Sequence, residues 1–184
     1  MKIVALAGSP RRRGNTELLL DAFLEGAKSK GAKATKVVLN RLKIKPCQAC
    51  YACKKTGKCK QKDDMKKLLR KLLKAEVWVF ATPVYWWGPS AQLKLALDRM
   101  FPFCHPDNGL PEKIKGKKFF LITASEDDPT KATPHVVGML KESMNYLEIA
   151  WAGELLVQAG KKGEVKKNDQ ALKEAREMGE RAAG

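Results

Sequence analysis

Gly8-Ser9-Pro10-Arg11-Arg12-Arg13-Gly14-Asn15-Thr16 holds the first residues equipped for chemistry. Small residues in such a loop let backbone N–H groups face an anion, and a helix N-terminus behind them adds its positive end. Ser9, Asn15 and Thr16 offer donors to a terminal phosphate, and Arg11 adds charge and a multi-donor fork. Arg12 and Arg13 are less specific and read as solvent-facing. The loop has neither the glycine spacing of G-x-G-x-x-G nor the Gly-Lys-Ser/Thr ending of a Walker A loop. A tight turn leading into a capped helix accounts for the same residues without any ligand.

Cys47, Cys50, Cys53 and Cys59 form a second group, four thiols within thirteen residues. Compact spacing with a longer last gap suits a [4Fe–4S] cluster. Four cysteines also suit zinc. Metal-free thiols flanked by Lys54, Lys55, Lys58 and Lys60 are the third reading, and these would be open to oxidation. Pro46 and Gly57 give turns, so residues 46–60 read as a cysteine-rich loop. Cys104, alone between Phe103 and His105, reads as a packed or semi-exposed thiol. His105 and His135 read as structural or surface residues. Asp63, Asp64 and Asp98 read as helix and packing determinants rather than a catalytic carboxylate pair.

The scaffold that must position these groups is legible in the hydrophobic pattern. Lys2–Ala7 reads as a buried strand and Asn15–Lys30 as a helix, with Leu18, Leu19, Ala22, Phe23 and Ala27 on its apolar face. A strand over Ala34–Leu39 follows. A helix runs from Asp63-Asp64 to about Leu73, with acidic residues at its positive end. Val77–Ala81 is apolar throughout, as expected of a central parallel strand covered on both faces. Thr82–Gly88 reads as the loop at its carboxyl end, and Pro89-Ser90 opens a helix to about Arg99. Lys118–Ala124 is the fourth strand, 125–131 a polar loop, and a helix then reaches Tyr146. A fifth strand contains Glu154–Val157, and Asn168-Asp169 cap the last helix. The pattern is five βα units in one domain over residues 1–184. The loops at 8–16, 82–88 and 125–131 all fall at strand carboxyl ends, where this architecture binds its ligands.

Composition narrows the classes. The 184-residue chain carries 36 basic and 20 acidic side chains, a net charge of +16. That balance favours polyanions, but the lysines are spread over nearly every helix and turn, and no recognition helix, zinc finger or aromatic RNA-binding motif is present. A Lys-rich solvent face explains the charge better than specific nucleic-acid binding, although acidic redox partners or phosphorylated substrates would be steered by the field. No uncharged run is long enough to span a bilayer. With no signal-peptide pattern, the expectation is a cytoplasmic protein without membrane association.

Taken together, Gly8-Ser9-Pro10-Arg11, Gly14-Asn15-Thr16, the cysteine segment followed by Asp63-Asp64-Met65, Thr82-Pro83-Val84-Tyr85-Trp86, Gln92-Leu93-Lys94 and Asp98-Arg99 resemble the NADPH-dependent FMN reductase family, on the side of its iron–sulfur flavoproteins. The similarity covers the first hundred residues well and the remainder more loosely. It implies an α/β flavodoxin-like three-layer sandwich with a five-stranded parallel sheet in the order 2-1-3-4-5. It implies that Ser9, Arg11, Asn15 and Thr16 hold the FMN phosphate. It also implies that Pro83, Val84, Tyr85, Trp86 and Gly88 line the isoalloxazine, with Ser125 and Glu126 approaching from the third loop. A flat cofactor does need an apolar or aromatic wall. Tyr85-Trp86-Trp87 equally suits a subunit contact.

The resulting expectation is an FMN-dependent oxidoreductase that moves electrons between FMN and a [4Fe–4S] cluster on Cys47, Cys50, Cys53 and Cys59. The alternatives are a cluster-free NAD(P)H-dependent FMN or quinone reductase and a flavodoxin-like electron carrier. A homodimer or homotetramer is expected from the family, with ferredoxin or quinone as redox partner and NAD(P)H as a possible substrate.

Overall fold

The computed structural model describes residues 1–184. Strand β1 (Lys2–Ala7) is buried at every position after the first, because Ile3–Ala7 is covered from both sides. Its side chains alternate. Ile3, Ala5 and Ala7 join one core cluster and Val4 and Leu6 the other, the period-two signature of a sheet between two helical layers.

The first layer packs α1 (Asn15–Ser29) and α8 (Asp169–Ala183) over β3 (Val77–Tyr85), β5 (Lys118–Ser125) and β6 (Ala150–Gln158). Leu19, Leu20 and Phe23 from α1 meet Ala175 and Met178 from α8 above Val79 and Ile122. These two helices approach very closely. A Cβ at Gly26 would lie 2.0 Å from the Arg176 carbonyl oxygen, and one at Gly179 only 1.9 Å from that of Phe23. The opposite layer holds α3 (Met65–Lys74), α4 (Ala91–Asp98) and α7 (Pro134–Tyr146). Helix α3 buries Met65, Leu68, Leu69 and Leu72 and turns Lys66, Lys67, Arg70 and Lys71 to solvent, an amphipathic stripe at helical spacing. Each fully buried large side chain contributes about 1.5–3 kcal/mol. Trp78, wholly buried, satisfies its indole N–H by donating to the Leu72 carbonyl at 2.9 Å.

The sheet has six strands. Five are parallel in the spatial order β2 (Lys33–Val38), β1, β3, β5, β6, and the two-residue β4 (Gly88–Pro89) pairs antiparallel with β3. The expected all-parallel five-stranded sheet is corrected by that extra strand. Its cause is β3, which does not stop at Ala81. It continues through Thr82 and Pro83 to Tyr85 and folds back through Trp86-Trp87, so Tyr85 pairs with Gly88. Two other expected loops also contain structure. A one-turn helix, α2 (Cys53–Thr56), interrupts the cysteine segment, and α6 (Pro129–Ala132) follows β5, its start capped by Asp128 accepting from Thr130 N. Lys117 is half-buried and donates to the carbonyls of Leu73 and Ala75. Asn168 caps α8 as expected, accepting from Ala171 N at 2.9 Å. No helix is long and apolar enough to cross a membrane.

Candidate active site

The carboxyl ends of β1, β3, β5 and β6 meet at one edge of the sheet, where side chains from distant segments converge. The loop after β1 is pinned to its neighbours. Gly8 N donates to Ala81 O at 2.7 Å, and the Ser90 hydroxyl donates to Gly8 O at 2.6 Å. Within the loop Arg11 N donates to Ser9 Oγ at 3.1 Å and Gly14 N to Arg11 O at 3.0 Å. Gly14 stands at the N-cap of α1, where no side chain caps the first turn. The positive end of a 15-residue helix therefore opens toward the cavity.

That cavity, about 150 Å³, is walled by Ser9, Arg11, Gly14, Asn15 and Thr16 on one side and by Pro83, Val84 and Tyr85 on another. Ala124, Glu126, Ala159 and Gly160 complete it. Seven of the ten residues expected at the cofactor are thus drawn together, and Trp86, Gly88 and Ser125 are not among them. Ser9 and Thr16 are buried beside the uncapped helix end and Arg11 is exposed at the rim, a donor set that fits a phosphate.

Asn15 departs from its expected part. Its Nδ2 donates to both Ala159 O and Lys161 O at 2.9 Å, and its Oδ1 accepts from Val165 N at 3.3 Å. The side-chain donors are used within the protein, so Asn15 builds a wall of the cavity rather than offering an amide to a phosphate. Arg11 Nη1 donates to Gly160 O at 3.1 Å and draws in the same segment. This β6–α8 segment was not among the three ligand-side loops read from sequence. Gly160, just after the last strand, was the available signal.

Trp86 and Ser125 belong to a second, outer cavity of about 250 Å³, which also includes Val84, Trp87, Glu126, Asp127 and Ala132. Val84 and Glu126 line both cavities, so the two adjoin. The Ser125 hydroxyl donates to Asp127 O at 2.9 Å. Gly88 lines neither cavity and closes the hairpin by pairing with Tyr85. The turn residues Trp86 and Trp87 have φ of 50° and 58°. A two-residue hairpin turn needs positive φ at both positions, normally met by Gly, Asn or Asp. Trp86 is 91% and Trp87 52% exposed.

The four clustered cysteines line one separate cavity of about 110 Å³ with Tyr51 and Phe101, and none is in a disulfide. Burial pushes the Cys53 thiol up, and the nearby sulfurs of Cys59, Cys47 and Cys50 push the same way. No three Cys, His, Asp or Glu side chains are arranged around a common position suited to a metal ion, so the four cysteines assemble neither a zinc shell nor the expected cluster shell. Beneath this cavity Arg99, 2% exposed, donates from Nη1 to Lys45 O at 2.6 Å and from Nη2 to Cys59 Sγ at 3.3 Å. Cys104 is half-buried and its thiol is pushed up by burial, with Cys53 adding to the effect. His105 packs edge-on against Phe101 and His135 is exposed; neither lines the sheet-edge cavities.

Residues 1–149 match the model of the family described as NADPH-dependent FMN reductase. The chain belongs to that family. Within it the chain groups with the iron–sulfur flavoproteins. It is 31% identical over 185 residues to one from Archaeoglobus fulgidus, the match spanning all of this chain and 79% of that protein. It is 38% identical over 114 residues to one from Methanosarcina thermophila, a match covering 62% of this chain and 60% of that protein. Among solved structures, the NAD(P)H:quinone oxidoreductase of Methanothermobacter marburgensis superposes with a TM-score of 0.78 at 18% identity, over all of this chain and 96% of that one. An FMN-dependent NADH-azoreductase of Bacillus anthracis gives 0.75 at 16% identity over the full length of both chains. At these identities the structural likeness establishes the flavodoxin-like fold. Family membership makes this chain an FMN-dependent oxidoreductase.

Proposed function

We propose that this chain binds FMN in the sheet-edge cavity and reduces a flat quinone- or flavin-type acceptor at the expense of NAD(P)H. The observation that carries the reading is the uncapped N-terminus of α1 behind Ser9, Arg11 and Thr16, opening into a cavity that continues past Val84 to two indoles. In this reading Ser9, Thr16 and Arg11 hold the phosphate, and the backbone of Pro83–Tyr85 lies along the ring system. Asn15 fixes the 159–161 wall that keeps water from one side. Bound FMN supplies the exchange between two-electron and one-electron chemistry. The residues bind and orient, and no side chain is assigned an acid–base step.

A second reading is supported by the cysteine cavity. Cys47, Cys50, Cys53 and Cys59 share one pocket without a disulfide between them, with the Arg99 guanidinium against Cys59. These are the groups that would hold a [4Fe–4S] cluster. With a cluster present, ferredoxin joins quinone as a partner class. A homodimer or homotetramer belongs to the proposal as well, with the exposed Trp86-Trp87 turn as its contact.

The deciding experiment is anaerobic purification with iron, acid-labile sulfide and FMN counted per chain, followed by NAD(P)H oxidation with a quinone acceptor. FMN without iron or sulfide, with rapid nicotinamide oxidation, supports the reductase reading. About four iron and four sulfide per chain would move the assignment to the cluster reading. FMN with negligible nicotinamide turnover would point to an electron carrier instead.

A further inference from the structure

The outer cavity has a sign of charge opposite to that of the protein. The chain carries +16, yet the lining between the indoles of Trp86 and Trp87 and the β5 end is Glu126 and Asp127, with no basic residue. Glu126 is the charged side chain that, with Val84, lines both this cavity and the cofactor cavity. It is exposed, and its stem and backbone are held in place. A Cβ at Gly160 would fall 2.8 Å from Glu126 Cγ, so its stem lies against that glycine, and Gln158 Nε2 donates to its backbone carbonyl at 3.0 Å. Its carboxylate enters none of the ion pairs of the structure. Arg11 approaches the same glycine by donating to its carbonyl and forms no ion pair with Glu126.

We propose that Glu126 is a specificity-determining residue for the acceptor. The site takes flat aromatic acceptors that are uncharged or cationic, and rejects anionic ones. This rests on the reading above of an FMN-dependent reductase with a quinone acceptor. Indoles favour flat and cationic partners, and an unpaired carboxylate at the approach to the cofactor repels an anion at short range. The long-range field of the chain works in the opposite direction, since net positive charge steers anions inward. At about 0.15 M salt the Debye length is about 8 Å, so the local carboxylate prevails. The balanced reaction is unaffected by the choice: the reduced nicotinamide gives up two electrons and a proton, and the quinone gains two electrons and two protons, the second from water.

The test uses FMN-loaded protein and three naphthoquinones differing only in one substituent: neutral, trimethylammonium or sulfonate. Two readouts are taken at 0.15 M salt, kcat/KM with NAD(P)H and dissociation constants from tryptophan quenching without donor. The neutral and cationic compounds should exceed the sulfonate by about tenfold in both. Glu126→Gln should narrow that gap several-fold and Glu126→Lys should reverse it. A wild-type protein that prefers the sulfonate, or a gap unmoved in both variants, overturns the proposal. If no quinone is reduced whatever its charge, the reductase reading falls, and the quenching series, which needs no turnover, still decides the role of Glu126.

Discussion

Arg99 and Asp63 form a two-pronged ion pair, Nη1 to Oδ2 at 2.8 Å and Nη2 to Oδ1 at 3.0 Å, with both side chains almost wholly buried. Asp63 also accepts from Lys45 N at 3.0 Å and Met65 N at 3.2 Å. One carboxylate therefore ties both ends of the cysteine segment to the start of α3 and to the residue after α4. Removing one partner leaves a buried charge alone. Asp63→Asn should lower the unfolding free energy by about 3–5 kcal/mol, read by chemical denaturation. A loss below about 1 kcal/mol would mean that the pair behaves as a surface bridge.

The same pair makes stability depend on acid. Burial alone pushes the Asp63 carboxyl up, but the Arg99 hydrogen bonds and charge, with those from Lys45 and Met65, outweigh it and leave the group below its ordinary range. A carboxyl lowered in the folded state contributes its full stabilisation above the unfolded value of about 3.9, and loses it as pH falls through the folded value. Melting temperatures of wild type and Asp63→Asn should differ by a constant amount above about pH 5 and converge below pH 4. Parallel curves down to pH 2 would refute this linkage.

In the proposed binding mode Arg11 offers the phosphate a charge that Ser9 and Thr16 lack. Arg11→Ala should weaken FMN binding about ten- to a hundredfold, the loss of a charge-assisted hydrogen bond. Riboflavin, which has no phosphate, is the control. Equal losses for FMN and riboflavin would show that Arg11 acts only through its bond to Gly160 O.

Within one chain the tryptophan turn is strained without compensating burial at Trp86. At dilutions where the chain is monomeric, Trp86→Gly should raise the unfolding free energy by about 1 kcal/mol, because glycine adopts positive φ freely. At concentrations where the proposed subunit contact forms, the same substitution should lower the melting temperature; a gain that is independent of concentration would remove Trp86 from that contact.

Helices α1 and α8 allow no side chain where they cross. Gly179→Ala should cost at least about 1–3 kcal/mol, since its Cβ would displace the Phe23 backbone. Unchanged stability would require the helices to slide apart freely, against the close packing of Phe23 and Met178.

Much of this was legible in the chain, for definite reasons. Val4 and Leu6 alternate with Ile3 and Ala5, and Met65, Leu68, Leu69 and Leu72 recur at helical spacing, so the elements declare themselves by period. Gly8–Thr16 marks its own loop through small residues after a buried run. What escaped depends on partners far away in sequence. The extension of β3 through Pro83 reads as a loop because proline and glycine punctuate it, and only pairing with Gly88 and β5 reveals a strand. Arg99 looks like the end of a helix until Asp63 and Cys59, about forty residues earlier, close around it. No local pattern assigns Asn15 to residues 159–165.

That last connection has a bearing on biosynthesis. Asn15 leaves the ribosome early, but the carbonyls of Ala159 and Lys161 and the amide of Val165 that engage it belong to a segment about 150 residues later. A nascent chain that has made only β1 through β5 has the anion loop and no far wall. In the proposed binding mode, cofactor capture during translation waits for the last 26 of the 184 residues, and ribosome-stalled chains ending before Ala159 should hold FMN far more weakly than chains released whole.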